Sequence, residues 1–249
     1  MDRTKKSPLS TRVGIGLQTS IWFKISEIVF VFACAFGFMQ LMSPLADGDP
    51  ILTQVVVWFA NILMLTLVWF GLKLRGEKLQ HFGLTFRPIS WRGVLKVFLL
   101  SILIFILAVA GFIIGSIVMA NITGVPESAD MSGYAYLNNN IGMFLLTLIG
   151  SYIVASFGEE VIYRAFLINR FLELGVDSKK GRIISVILSS IVFGLAHYQW
   201  GAMGMVQTTF MGLALGICYL KLKKRIWILI LAHAYMDTFL MVQLYLASN

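Results

Sequence analysis

Seven mostly apolar stretches succeed one another along the chain, at 22–45, 51–72, 94–120, 141–163, 183–200, 202–220 and 226–247. Short segments carrying most of the charge separate them. A helix of about 20 apolar residues crosses the hydrocarbon of a bilayer, and every run is close to or above that length. Backbone exposed to lipid must satisfy its own hydrogen bonds, so the runs are helices rather than loose strands. The pattern predicts an all-α, polytopic transmembrane helix bundle of about seven spans. An eight-span count would need a break in the third run, and no turn signal interrupts it. No hydrophilic block is long enough to fold by itself, so residues 1–249 are expected to form a single membrane domain.

Composition agrees with the pattern. Of 249 residues, 58% are hydrophobic and only 13% charged, against about a quarter charged in soluble domains. Such a chain cannot cover itself with polar surface, and lipid is its main solvent. The two cysteines, Cys34 and Cys218, lie inside apolar runs, where they read as small core residues rather than a disulfide.

Charge then orients the bundle. The 20 Lys and Arg residues fall in four clusters, Arg3 to Lys24, Lys73 to Lys96, Arg164 to Arg182 and Lys221 to Arg225. The intervening loops at 43–50, 121–140 and 200–201 contain none. All basic residues therefore lie on one side of a seven-span chain, which the positive-inside rule makes cytoplasmic, with the N-terminus inside. The net charge of +8 is explained by basic loops facing anionic lipid, and no nucleic-acid partner is expected. The polar segment before Arg12 leads into a retained first helix rather than a cleaved signal peptide, because no small-residue cleavage site follows. The segment from Lys73 to Trp91 mixes basic residues with Leu79, Phe82, Leu84 and Phe86, and reads as an amphipathic stretch in the interface. His81 within it is expected to be solvated.

Ionisable groups inside membrane spans are costly, and each is a functional hypothesis. Apart from Lys24 and Glu27 near the first helix end, they are Glu159, Glu160 and Arg164 in the fourth span, His197 in the fifth, and His233 and Asp237 in the seventh. Their depths agree. Glu159 lies 19 residues before Ser178 and His197 lies 19 after it, so the two come level if both helices extend beyond the membrane. The charged residues Arg170, Glu173, Lys179 and Lys180 favour that extension. His233 is eight residues past Arg225, about 12 Å at a rise of about 1.5 Å per residue. Three helices can thus bring Glu159, His197 and His233 to one depth below the basic surface. Ala196, Ala232 and Gly194 permit close helix approach.

Local spacing separates the roles. Glu160 and Arg164 are i,i+4 in the favourable order and are assigned to each other as an ion pair. Glu159 points about 100° away on a helix of about 3.6 residues per turn and is left free to act as a general base. His233 and Asp237 are also i,i+4, so the carboxylate can orient the imidazole or share a ligand with it. Phe193 stands one turn before His197 and can wall the pocket.

Three motifs in order, Glu159-Glu160-x-x-x-Arg164, Phe193-x-x-x-His197 and His233-x-x-x-Asp237, resemble those of the CPBP (Abi) intramembrane proteases, relatives of the type II CAAX prenyl endopeptidases. The resemblance spans roughly 141–247, the expected catalytic bundle. It implies peptide hydrolysis within the membrane, at a site opening toward the cytoplasm of a bacterial cell. By the same resemblance Glu159 activates water with help from His197, His233 and residue 237 stabilise the oxyanion, and Glu160 and Arg164 support the site. The substrate class it implies is a lipidated, CAAX-like C-terminus, another membrane-embedded peptide, or a processed pheromone or bacteriocin.

Two questions stay open on the residues alone. Glu159, His197, His233 and Asp237 could ligate a divalent metal such as zinc with an open position for water, making a metalloprotease, or the chemistry could need no cofactor. No His-Glu-x-x-His helix is present. Position 237 commonly carries Asn in the prenyl proteases, and Asn donates hydrogen bonds where ionised Asp does not. The competing class is a non-hydrolytic membrane protein, such as a scaffold, a bacteriocin-immunity factor or a small transporter. A transporter usually shows repeated halves, and the only internal repetition is the pair Leu195-Ala196-His197 and Leu231-Ala232-His233.

Overall fold

The computed structural model describes residues 12–85, 90–124, 132–175 and 178–246. They form eight helices and, among the described residues, no strand. The helices are α1 (Arg12–Thr19), α2 (Ile21–Ala46), α3 (Pro50–Arg75), α4 (Trp91–Thr123), α5 (Ile141–Glu173), α6 (Lys179–Ala196), α7 (Gly201–Lys221) and α8 (Ile226–Leu246). Short 3-10 turns occupy Leu79–Phe82, Ser132–Leu137 and Tyr198–Trp200. The basic segment before Arg12 lies outside the described residues.

Polar caps start the helices where the apolar runs begin. Asp49 accepts hydrogen bonds from the amides of Ile51 and Leu52 at 2.7 and 3.0 Å, with Pro50 in the first turn of α3. Ser90, Asn140 and Ser178 accept in the same way at the starts of α4, α5 and α6. Such caps satisfy amides that have no partner within the helix.

Six helices are long and apolar enough to cross a membrane, namely α2, α3, α4, α5, α7 and α8. The pattern of the sequence counts seven, and α6 makes the difference. Its eighteen residues begin with Lys179, Lys180 and Arg182, which shorten its apolar stretch. The fourth run also ends later than its hydrophobicity suggests. Helix α5 continues to Glu173 and has 33 residues, about 50 Å, against about 30 Å of hydrocarbon. The extension expected from the charged residues at 170–180 is therefore present.

Helix α5 is the axis of the bundle, packing against α3, α6 and α8. Every residue from Glu160 to Arg170 is buried. Residues Tyr152–Ile168 are wound as a π-helix, a rare form that recurs at functional sites. Helix α7 lies between α4 and α6. On α4, a Cβ on Gly111 would come within 2.7 Å of the Phe210 carbonyl and one on Gly115 within 2.8 Å of Gln207 Cα. The small pair Gly111-x-x-x-Gly115 thus lets the two backbones meet, and Gln207 donates across them to Ser116 Oγ at 2.9 Å.

A buried ion network ties the other end of α5 to α2 and α3. Arg75 contacts Glu27 Oε2 at 2.5 Å and Glu173 Oε2 at 2.8 Å. Arg170 contacts Glu77 at 2.9 Å, Glu173 at 2.6 Å and Glu27 at 3.2 Å. Lys24 Nζ donates to the Glu173 carbonyl at 3.2 Å. The side chains of both arginines are only 1% exposed, and with Lys24 they balance three carboxylates. Residues from three of the basic clusters therefore meet at one end of the bundle. The nearby turn departs from an interfacial strip: Phe82 and Leu84 are buried in the core, and Gly83 (φ 80) presses on the Lys224 carbonyl. His81 is exposed, and its Nδ1 accepts from the Lys78 amide at 3.3 Å. Phe86 lies outside the described residues.

Candidate active site

The carboxylates of α5 and the imidazole of α8 meet where these two helices pack together. Glu160 is fully buried, and its Oε1 serves two cations or donors at once. Arg164 Nη1 lies 3.2 Å from it and His233 Nδ1 lies 2.9 Å from it. The pairing of Glu160 with Arg164 is as the spacing predicts. The second bond is new: Glu160, not Asp237, orients His233 through Nδ1. This leaves His233 Nε2 pointing toward two other carboxylates, Glu159 Oε2 and Asp237 Oδ1, each at 3.8 Å. Both separations exceed a hydrogen bond, so Nε2 is committed to neither and remains available to a third group.

Asp237 is fixed from a direction the sequence reading did not consider. Ser156 Oγ, fully buried on α5, donates to its Oδ2 at 2.6 Å. Ser156, Glu160 and Arg164 recur at intervals of four on α5, so one stripe of that helix supplies the serine, the carboxylate and the guanidinium. The signal was present in that interval, but a lone serine in an apolar span draws no notice.

His197 stands beside this cluster, and among the described residues it pairs with no carboxylate. It follows the last residue of α6 and opens the turn Tyr198–Trp200. Its Nδ1 lies 2.8 Å from the Phe193 carbonyl. A carbonyl only accepts, so Nδ1 carries the hydrogen and Nε2 is a bare acceptor. Phe193 connects the two halves of the site. Its ring packs on His197 at 4.7 Å between centroids, and the Arg164 guanidinium lies 4.2 Å from its centroid. The predicted wall is thus fully buried and also a cation–π platform.

Residues 141–239 match the Type II CAAX prenyl endopeptidase Rce1-like family. The match covers α5, α6, α7 and most of α8, and it contains all six candidate residues. No curated protein and no solved structure matches the chain. The Rce1-like stretch and six long apolar helices together describe an integral membrane protein with a protease-family segment.

Two further residues border the candidate site. Trp200 packs edge-on against His197 with ring centroids 4.9 Å apart. Tyr134, in the turn Ser132–Leu137 that packs on α3, α5 and α8, is within electrostatic reach of Asp237 and Glu159. Burial first, then the neighbouring Tyr136 phenol and the two carboxylates, push its phenol up to about 12, with hydrogen bonding to Trp200 pulling the other way. Tyr134 is accordingly a neutral hydrogen-bond donor. Its position in a loop, outside any amphipathic pattern, gave no sequence signal.

The metal alternative can be tested on the donors themselves. Among the described residues no three His, Cys, Asp or Glu side chains gather closely enough to hold a metal ion. Glu160 is engaged by Arg164 and His233, Asp237 by Ser156, and His197 stands apart. Of the candidate ligands, Glu159 Oε2 and Asp237 Oδ1 each lie 3.8 Å from His233 Nε2.

Proposed function

We propose that the chain is an intramembrane endopeptidase that hydrolyses a peptide bond in a membrane-associated, CAAX-like lipidated substrate. The reading rests on one observation. Of the two adjacent carboxylates, Glu160 is consumed by Arg164 and His233, while Glu159 faces the open side of His233 and, among the described residues, has no cation closer than 3.8 Å. Glu159 takes a proton from water, and the hydroxide attacks the scissile carbonyl carbon. The oxyanion that develops is met by a proton on His233 Nε2, a donor positioned before the reaction begins. Glu159 then passes its proton to the leaving amine as the carbon–nitrogen bond breaks. His197 accepts through Nε2 and helps hold the attacking water.

Asp237 takes a different part from the Asn common at this position in the prenyl proteases. Its Oδ2 accepts from Ser156, and the mechanism takes Asp237 as an ionised carboxylate. It faces His233 Nε2 with negative charge that complements an imidazolium, while Glu160 anchors the opposite ring nitrogen. The oxyanion is thus assigned to His233 rather than to residue 237. The positive-inside rule puts the basic end of the bundle in the cytoplasm, and the substrate peptide is taken to enter from there.

The deciding experiment is Glu159→Ala, purified in detergent and assayed on a prenylated peptide. Turnover is expected to vanish while the protein stays folded. Wild-type turnover in the variant would overturn the assignment.

A further inference from the structure

A second polar and apolar juxtaposition lies at the basic end of α3, away from the candidate active site. A cavity of about 420 Å³ opens there between the last turns of α3 and the turn Leu79–Phe82. Its floor is Trp69, Leu72, Leu79 and Leu84, and its rim carries Lys73 and Lys78. Trp69 and the adjacent Phe70 are exposed at the end of a span, so this side of α3 faces lipid. The Lys73 ammonium sits 5.3 Å from the Trp69 ring centroid. An aromatic ring under a lysine at a helix end is the arrangement found at the level of lipid headgroups.

The charge of this cavity is uncompensated. Among the described residues neither lysine forms an ion pair with a carboxylate. The one acid on the wall, Glu77, is drawn inward by Arg75 at 3.5 Å and Arg170 at 2.9 Å, so it does not neutralise the rim. A ligand suited to the cavity has an anionic head for two ammonium groups and an acyl chain for a tryptophan and three leucines.

We propose that this cavity is a binding site for one anionic glycerophospholipid, its phosphate between Lys73 and Lys78 and its chain along Trp69. Basic pockets at the cytoplasmic rim of membrane proteins recognise such headgroups. A second basic groove, formed by Arg92 and Lys96 above Leu95, Leu99 and Leu103, differs in being one face of a single helix, α4. It supplies the internal control.

The test uses the full-length protein in neutral detergent, with dioleoylphosphatidylglycerol or dioleoylphosphatidylcholine added and retained lipid counted by native mass spectrometry. Phosphatidylglycerol is expected to bind in preference to phosphatidylcholine. Lys73→Gln with Lys78→Gln is expected to weaken that binding roughly tenfold or more, since each basic residue near a surface contributes on the order of 1 kcal/mol. Folding and basal peptidase activity should be unchanged, because among the described residues neither lysine forms an ion pair. Arg92→Gln with Lys96→Gln should have little effect. Equal retention of both lipids, binding in the Lys73/Lys78 variant within twofold of wild type, or equal loss in the Arg92/Lys96 control would each overturn the site. So would displacement of the lipid by millimolar inorganic phosphate, which would make the ligand a free anion.

Discussion

Glu159 and Glu160 are neighbours in the chain, yet the proposed mechanism gives them opposite sensitivities to the same substitution. Glu160→Gln removes the negative charge that Arg164 contacts at 3.2 Å and His233 at 2.9 Å. Glu160 is fully buried and the Arg164 side chain is 2% exposed, so water cannot replace the lost partner. Breaking a buried pair from one side costs about 3–5 kcal/mol, which in a protein of this size lowers the apparent Tm by roughly 6–20 °C. Glu159→Gln, in contrast, removes a carboxylate that is 15% exposed and, among the described residues, has no cation closer than 3.8 Å. Its apparent Tm should stay near that of wild type, while turnover falls about a hundredfold or more, the usual weight of a general base. Thermal unfolding in detergent, followed by tryptophan fluorescence, reads the first effect. Cleavage of a prenylated test peptide at a temperature where both variants are folded reads the second. A Glu160→Gln protein as stable as wild type, or a Glu159→Gln protein that loses as much stability as its neighbour, would refute the division of labour.

Other expectations follow from the same geometry. Arg75→Ala should destabilise the protein by about 3–5 kcal/mol, through the loss of its contacts to Glu27 and Glu173. At low temperature it should leave kcat/KM unchanged, which a denaturation curve and a cold assay together would check. Tyr134→Phe should reduce turnover by a factor that stays constant between pH 6 and 10. The phenol keeps its proton as pH rises until it nears a value of about 12, so a loss that fades across that range would show the phenol ionising earlier. Protein exhaustively treated with a chelator and shown metal-free by elemental analysis should retain full activity, and activity restored only by zinc would reverse the mechanism.

What could be read from the chain and what could not divides along contact distance. The apolar runs locate the long helices to within a few residues for α2, α3, α4, α7 and α8, because burial in lipid is a property of each segment alone. Helix α5 is the exception, its last turns being polar. Arg170 and Glu173 read as charged ends of a helix extended beyond the membrane, whereas they join a network whose other members lie 93 to 149 residues away at Glu77, Arg75, Glu27 and Lys24. Nothing local distinguishes a charged helix end in water from one clasped by two other helices. The same limit applies to His233. Its interval of four from Asp237 suggests an orienting carboxylate, but the ring is claimed by Glu160, 73 residues earlier.

Position 237 gathers these observations into one step. An aspartate where the prenyl proteases commonly carry Asn would, by itself, argue for a lost oxyanion donor or a gained metal ligand. Ser156 changes that choice. A hydroxyl donating to Oδ2 at 2.6 Å supplies the proton-bearing partner that suits a carboxylate, and the other oxygen is left facing His233 Nε2 at 3.8 Å. In the proposed mechanism the oxyanion contact then falls to the imidazole alone. His233 is suited to carry it because Glu160 holds the far side of the ring and two further carboxylates complement its charge. In this arrangement the serine, the aspartate and the histidine form one unit, and the pair Glu160 and Arg164 is the base on which that unit stands.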